Sequence, residues 1–134
     1  MKKTLLLLDD DINLLLYHKI LFEEYAGFNC IISQDACEAI EKLNLNLDTI
    51  SGLVLDAFIP STTCNISTSI DFCKEIQYKG IFIPTLFLTS LSSSLDIVKL
   101  QKYGRVITKP LEQHFINNSK ILANFISNVS SYNK

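Results

Sequence analysis

Short apolar runs alternate with amphipathic segments along the whole chain, and no other feature limits its fold as strongly. Leu5–Leu8, Phe28–Ile32, Leu53–Leu55, Phe82–Leu88 and Val106–Ile107 read as buried strands. Between and after them, residues 12–25, 35–46, 67–78, 92–103 and 111–130 carry helical periodicity. Strands that are apolar throughout, rather than on alternate residues, are covered on both faces. That is the condition of a parallel sheet with helices above and below. Five such β-α units fit within 134 residues as a small doubly wound α/β sheet with five helices and right-handed crossovers. No linker and no internal repeat divides the chain, so one domain is expected over 1–134, with its core at about 3–127.

Bulk chemistry excludes several classes. The chain is 48% hydrophobic and 19% charged, too apolar for a disordered segment. It has no run near the ~20 apolar residues of a membrane span. The net charge of −2 gives no reason to bind nucleic acid. The start, Met1 to Leu8, imitates a secretory signal, but three aspartates end the apolar stretch after four leucines. An h-region needs ~7–15 residues. The expected location is therefore cytoplasmic. Cys30, Cys37, Cys64 and Cys73 form no C-x-x-C pair and are expected as reduced thiols. The three glycosylation sequons are then without meaning.

Ligands in such sheets sit beyond the carboxyl ends of the strands. Strand one is followed by Asp9-Asp10-Asp11, strand three by Asp56, strand four by Thr89-Ser90 and strand five by Lys109-Pro110. Were strands one, three, four and five neighbours, Asp9, Asp10, Asp56, Thr89 and Lys109 would converge on one spot. Each feature alone has a plain structural use: an acidic turn, a helix cap, a helix start.

With these residues the sequence resembles the receiver domain of bacterial two-component response regulators. The matching stretches are LLLLDDD (Leu5–Asp11), LVLDAFIP (Leu53–Pro60), IPTLFLTS (Ile83–Ser90) and VITKPL (Val106–Leu111). They stand in the family's order and cover roughly residues 3–127. The resemblance implies a flavodoxin-like sheet of order 2-1-3-4-5. It also implies that Asp56 is the phosphoacceptor, a carboxylate nucleophile toward a kinase phosphohistidine. Asp9, Asp10, Asp56 and the backbone carbonyl of Phe58 would hold Mg²⁺, a cation that takes a few oxygen ligands and keeps waters. Lys109, ahead of a cis proline bond, would pair with one phosphoryl oxygen and Thr89 would bond another. The implied partners are a sensor histidine kinase or histidine phosphotransfer protein and an unidentified output protein. No membrane insertion and no enzymatic output domain are expected.

Three departures stand out. The segment 61–69 is about five residues longer than the family's usual turn and has no glycine. Val106 occupies a position that usually holds an aromatic ring, which leaves Thr89 as the remaining half of the switch. In helix one, Leu14, Tyr17, Leu21 and Tyr25 are expected to face the core, and Leu16 and Ile20 the solvent. His18 reads as a packing residue, His114 as a surface one. Lys99, Lys102 and Arg105 form a small basic patch. Two other functions fit part of the pattern: a non-phosphorylated pseudo-receiver acting as a binding scaffold, and a haloacid-dehalogenase-type phosphatase with Asp9 of the D-x-D as nucleophile. The latter lacks the acidic pair it needs after Lys109.

Overall fold

A computed structural model describes residues 2–57, 59, 64, 66, 68–90 and 94–133. Five strands, β1 (Thr4–Leu8), β2 (Asn29–Ser33), β3 (Ile50–Asp56), β4 (Thr85–Thr89) and β5 (Arg105–Thr108), form one parallel sheet of order β2-β1-β3-β4-β5. The helices are α1 (Ile12–Ala26), α2 (Ala36–Leu45), α3 (Ser69–Tyr78), α4 (Ser94–Gln101), α5 (Leu111–Ile116) and α6 (Lys120–Ser130). This is the flavodoxin-like topology expected from the sequence, and β1, β3, β4 and β5 are consecutive neighbours.

Both faces of the sheet are covered, as continuous apolar strands require. Leu6 and Leu8 of β1, Leu53 and Leu55 of β3 and Phe87 of β4 pack against Ala39 and Leu43 of α2, Phe72 and Ile76 of α3 and Leu100 of α4. The alternate residues Leu5, Leu7, Val54, Leu86 and Leu88 meet Leu15 and Phe22 of α1, Leu111 of α5 and Leu122, Phe125 and Val129 of α6. The approach is close at Gly52. A Cβ there would lie 2.6 Å from Leu5 Cδ2 and from Val129 Cγ2, so the middle strand needs a residue without a side chain.

Four expectations are corrected. The single last helix over 111–130 is two helices, α5 and α6, making six among the described residues. Asn118 takes a left-handed φ of 52°, which asparagine tolerates better than most residues. The Ser119 hydroxyl then accepts from the Leu122 amide to start α6. The apolar period runs through the break, which hides it in the sequence. β4 begins at Thr85, not Phe82: Pro84 offers no N–H to a ladder, and its carbonyl accepts from Leu53 N instead.

In α1 the buried side chains are Leu15, His18, Leu21 and Phe22. Tyr17 and Tyr25, expected inside, are 41% and 72% exposed. The helix is apolar all round, so periodicity alone does not fix its inward face. Leu16 and Ile20 are exposed as expected. Finally, Cys37 and Cys64 are joined by a disulfide, where four thiols were expected. Cys37 lies in the first turn of α2, and Cys64 follows the end of β3 by eight residues. Cys30 and Cys73 are free.

Candidate functional site

The sheet order brings four strand ends to one edge. Asp9 directly follows β1, Asp56 ends β3, Thr89 ends β4 and Lys109 follows β5. Register fixes their relative height: Leu8 pairs with Leu55, Asp56 with Leu88 and Thr89 with Thr108. The ladder continues past the strands, because Ala57 N donates to Leu88 O at 3.1 Å and Lys109 N to Thr89 O at 2.9 Å. The Lys109–Pro110 bond is cis.

The five expected residues meet. One carboxylate oxygen from each of Asp9, Asp10 and Asp56 lies within 4.8 Å of the others. Lys109 Nζ stands 3.5 Å from Asp9 Oδ2 and 3.3 Å from Asp56 Oδ1. Thr89 is buried at the same edge. The expected fourth ligand, the Phe58 carbonyl, lies outside the described residues, as do most of segment 61–69 and the middle of 90–94.

The third aspartate of the triplet has a separate task. Asp11 caps α1, its carboxylate accepting from Asn13 N at 2.9 Å and Leu14 N at 3.3 Å. Its own amide donates to Asp9 Oδ1 at 2.9 Å. One short loop therefore starts the helix and fixes the first site carboxylate. Gln34 was not singled out from the sequence. Its Nε2 donates to the Asp10 carbonyl at 3.2 Å, while Asp9 N donates to Ser33 O at 3.2 Å. The end of β2 thus holds the acidic loop from behind. A polar residue one step past a strand was the only clue.

The electrostatics of the cluster define the kind of group it suits. Burial pushes the Asp9 carboxyl from 3.8 up to about 6, and the charge of Asp56 adds to the rise. The Asp11 amide and the Lys109 ammonium oppose it. Asp56 is also raised, chiefly by burial and also by Asp10, with Lys109 pulling the other way. One ammonium does not balance three carboxylates, so the group is held as charged only at a cost. A hard divalent cation removes that cost, and an all-oxygen donor set suits Mg²⁺. His18 lies close by and is buried. Burial and the Lys109 charge lower it to about 4, against Glu112 and Asp11, so it is neutral. His114 is half-buried, its Nε2 2.7 Å from Thr108 O.

The fold is that of response regulator receiver domains, so the resemblance read from the sequence holds at the level of the fold. A receiver domain from Clostridium thermocellum superposes with a TM-score of 0.73 at 21% identity, over 95% of this chain and 93% of that one. CheY in a CheX–CheY–BeF3–Mg²⁺ complex from Borrelia burgdorferi gives 0.75 at 20% identity, over 92% and 89%. In sequence the chain is 27% identical over 122 residues to the alkaline phosphatase synthesis transcriptional regulatory protein PhoP of Bacillus subtilis. The match covers 87% of this chain and 46% of PhoP, so the chain spans about half the length of that relative. No protein-family model matches the chain.

Proposed function

We propose that this chain works as one receiver domain that takes a phosphoryl group from a histidine kinase or histidine phosphotransfer protein onto Asp56. The observation that carries the reading is the approach of Asp9, Asp10 and Asp56 to within 4.8 Å, with Lys109 Nζ 3.3 Å from Asp56. Asp56 is the carboxylate at the end of the central strand, and its side chain is 14% exposed against 5% for Asp9. That favours Asp56 as nucleophile and Asp9 as a fixed ligand. Asp11, the second acid of the D-x-D that a phosphatase would use, is committed to capping α1.

Each residue then has one physical task. Asp9 and Asp10 would hold Mg²⁺ together with Asp56. When bound, the ion neutralises the carboxylates and the transferred oxygens. Lys109 offers a positive charge to a phosphoryl oxygen, and the Thr89 hydroxyl is a donor for another. The B. burgdorferi relative was solved with Mg²⁺ and BeF3, which supports the same chemistry here. The domain is not an enzyme acting on a separate substrate: it carries the phosphoryl group and shows an altered surface to a partner. The proposed site of action is the cytoplasm; no helix among the described residues is long and apolar enough to cross a membrane.

The test is intact mass after incubation with Mg²⁺ and a small phosphodonor, for the wild type and Asp56→Asn. The expected result is one added phosphoryl group that needs Mg²⁺ and is lost in the variant. No addition to the wild type would point to the scaffold reading, and full addition to Asp56→Asn would move the nucleophile elsewhere.

A further inference from the structure

We infer that the Cys37–Cys64 disulfide is a reversible redox tether that controls how long the phosphoryl group stays on Asp56. The control of the phosphoryl group rests on the proposed function; the tether itself does not.

The two linked cysteines differ from the two free ones. Cys64 is exposed and Cys37 half-buried, so small thiols and disulfides can reach the bond. Cys73 is buried and Cys30 half-buried, and burial pushes both thiols up to about 12, where they stay protonated and inert. Redox chemistry is thereby confined to one pair. Cys37 sits in the first turn of α2, two residues beyond the Asp35 cap that accepts from its amide at 2.9 Å.

The position of the bond links it to the site. Cys64 follows Asp56 by eight residues and lies between Ile59 and Ile66, both buried in the core. Cys37 belongs to the element that starts just after Ser33 and Gln34, the two residues bonded to Asp9 N and Asp10 O. The disulfide therefore ties the chain leaving Asp56 to the chain supporting Asp9 and Asp10. It also walls one end of a groove of about 700 Å³ between α2 and α3, lined by Ile40, Glu41, Asp71, Lys74 and Tyr78 among others.

The exchange balances with a low-molecular-weight disulfide, RSSR, as oxidant. The Cys37 thiolate attacks one sulfur of RSSR, forming a mixed disulfide and releasing RS⁻. The Cys64 thiolate, having lost its proton to solvent, attacks the Cys37 sulfur and releases the second RS⁻. Both leaving thiolates take up protons, so two protein thiols and RSSR give one protein disulfide and two RSH. Reduction by excess RSH runs the same steps backwards. Disulfides in reducing compartments are commonly transient and redox-sensing, so the bond is compatible with a cytoplasmic protein.

The experiment compares the full chain in oxidised and reduced glutathione, with Cys64→Ser as a permanently open form and Cys30→Ser as a control. Thiol alkylation and mass should count two thiols in the oxidised chain and four in the reduced one. The melting temperature should fall by roughly 5–12 °C on reduction, from the lost constraint on a 27-residue loop. It should not respond to redox in Cys64→Ser, and should respond normally in Cys30→Ser. The half-life of phosphorylated Asp56 should be at least twofold longer in the oxidised chain, because the bond restrains Cys64, eight residues after Asp56, against the helix that follows the Ser33 and Gln34 contacts to the acidic loop. Four thiols under every oxidant, or a melting temperature blind to redox, would overturn the tether whatever happens at Asp56. A redox-dependent melting temperature with identical half-lives would overturn its control of the site. Failure of Asp56 to label in either state would overturn the phosphoacceptor reading, and with it that control, while the thiol count and melting temperature still decide whether the tether exists.

Discussion

Replacing a buried site carboxylate should stabilise this protein, and Asp9→Asn is the sharpest case. The Asp9 side chain is 5% exposed, and its folded-state value of about 6 stands above the ordinary 3.8. At neutral pH the ionised carboxyl is thus disfavoured in the folded chain by ~3 kcal/mol relative to the unfolded one. Asparagine has the shape of the protonated form and removes that term. Against it stands a buried amide that costs ~1 kcal/mol where its N–H groups are imperfectly met. The expected net gain at pH 7 without divalent cations is ~1–3 kcal/mol, a rise of ~4–10 °C in melting temperature for a chain this size.

The pH dependence follows from the direction of the shift. A raised carboxyl binds its proton more tightly in the folded state, so the wild type loses stability as pH climbs from about 4 through about 6. The advantage of Asp9→Asn should therefore be small at pH 4 and complete by pH 7. Mg²⁺ should then favour the wild type by mass action and leave the variant behind. Thermal melts at both pH values, in EDTA and in Mg²⁺, measure all of this. An Asp9→Asn protein less stable than the wild type at pH 7 in EDTA, or an advantage equal at both pH values, would refute the reasoning.

Asp11→Ala should lose ~1 kcal/mol of stability through the α1 cap yet keep most phosphodonor labelling, read by chemical denaturation and intact mass. Asp10→Ala should abolish the Mg²⁺-dependent rise in melting temperature. Gly52→Ala should destabilise by ~1–3 kcal/mol, because its Cβ would overlap Leu5 and Val129. Amide-resolved NMR with beryllofluoride and Mg²⁺ should show large shifts at Asp56 and Thr89 and small ones at Val106, a stiff side chain without a ring to swing. Shifts as large across β5 as at Asp56 would contradict this.

The strands were legible because burial on both faces leaves an unbroken apolar mark, as in LLLL before Asp9 and LVL before Asp56; their order came from the resemblance to receiver domains. The site was legible for a related reason: strand ends in a parallel sheet share one edge, so residues distant in sequence are predictably close. What escaped the sequence depends on single contacts. The break at Asn117–Ser119 interrupts a helix without interrupting its apolar period. The inward face of α1 is ambiguous because Leu14, Leu15, Leu16 and Tyr17 offer apolar side chains in four successive directions. The Cys37–Cys64 bond needs the course of the long segment after β3, which carries no periodic signal. Gln34 acts through one amide bonded to a backbone carbonyl, and such pairings leave no pattern.

The identity of the phosphorylated atom is the most direct test. After labelling with a small phosphodonor and Mg²⁺, borohydride reduces an acyl phosphate to an alcohol, converting the modified aspartate to homoserine, and peptide mass spectrometry then finds it. The account predicts homoserine at position 56 and none at 9, 10 or 11. Homoserine at position 9 would instead make Asp9 the nucleophile, and would contradict the assignment of Asp56 and Asp9 made here.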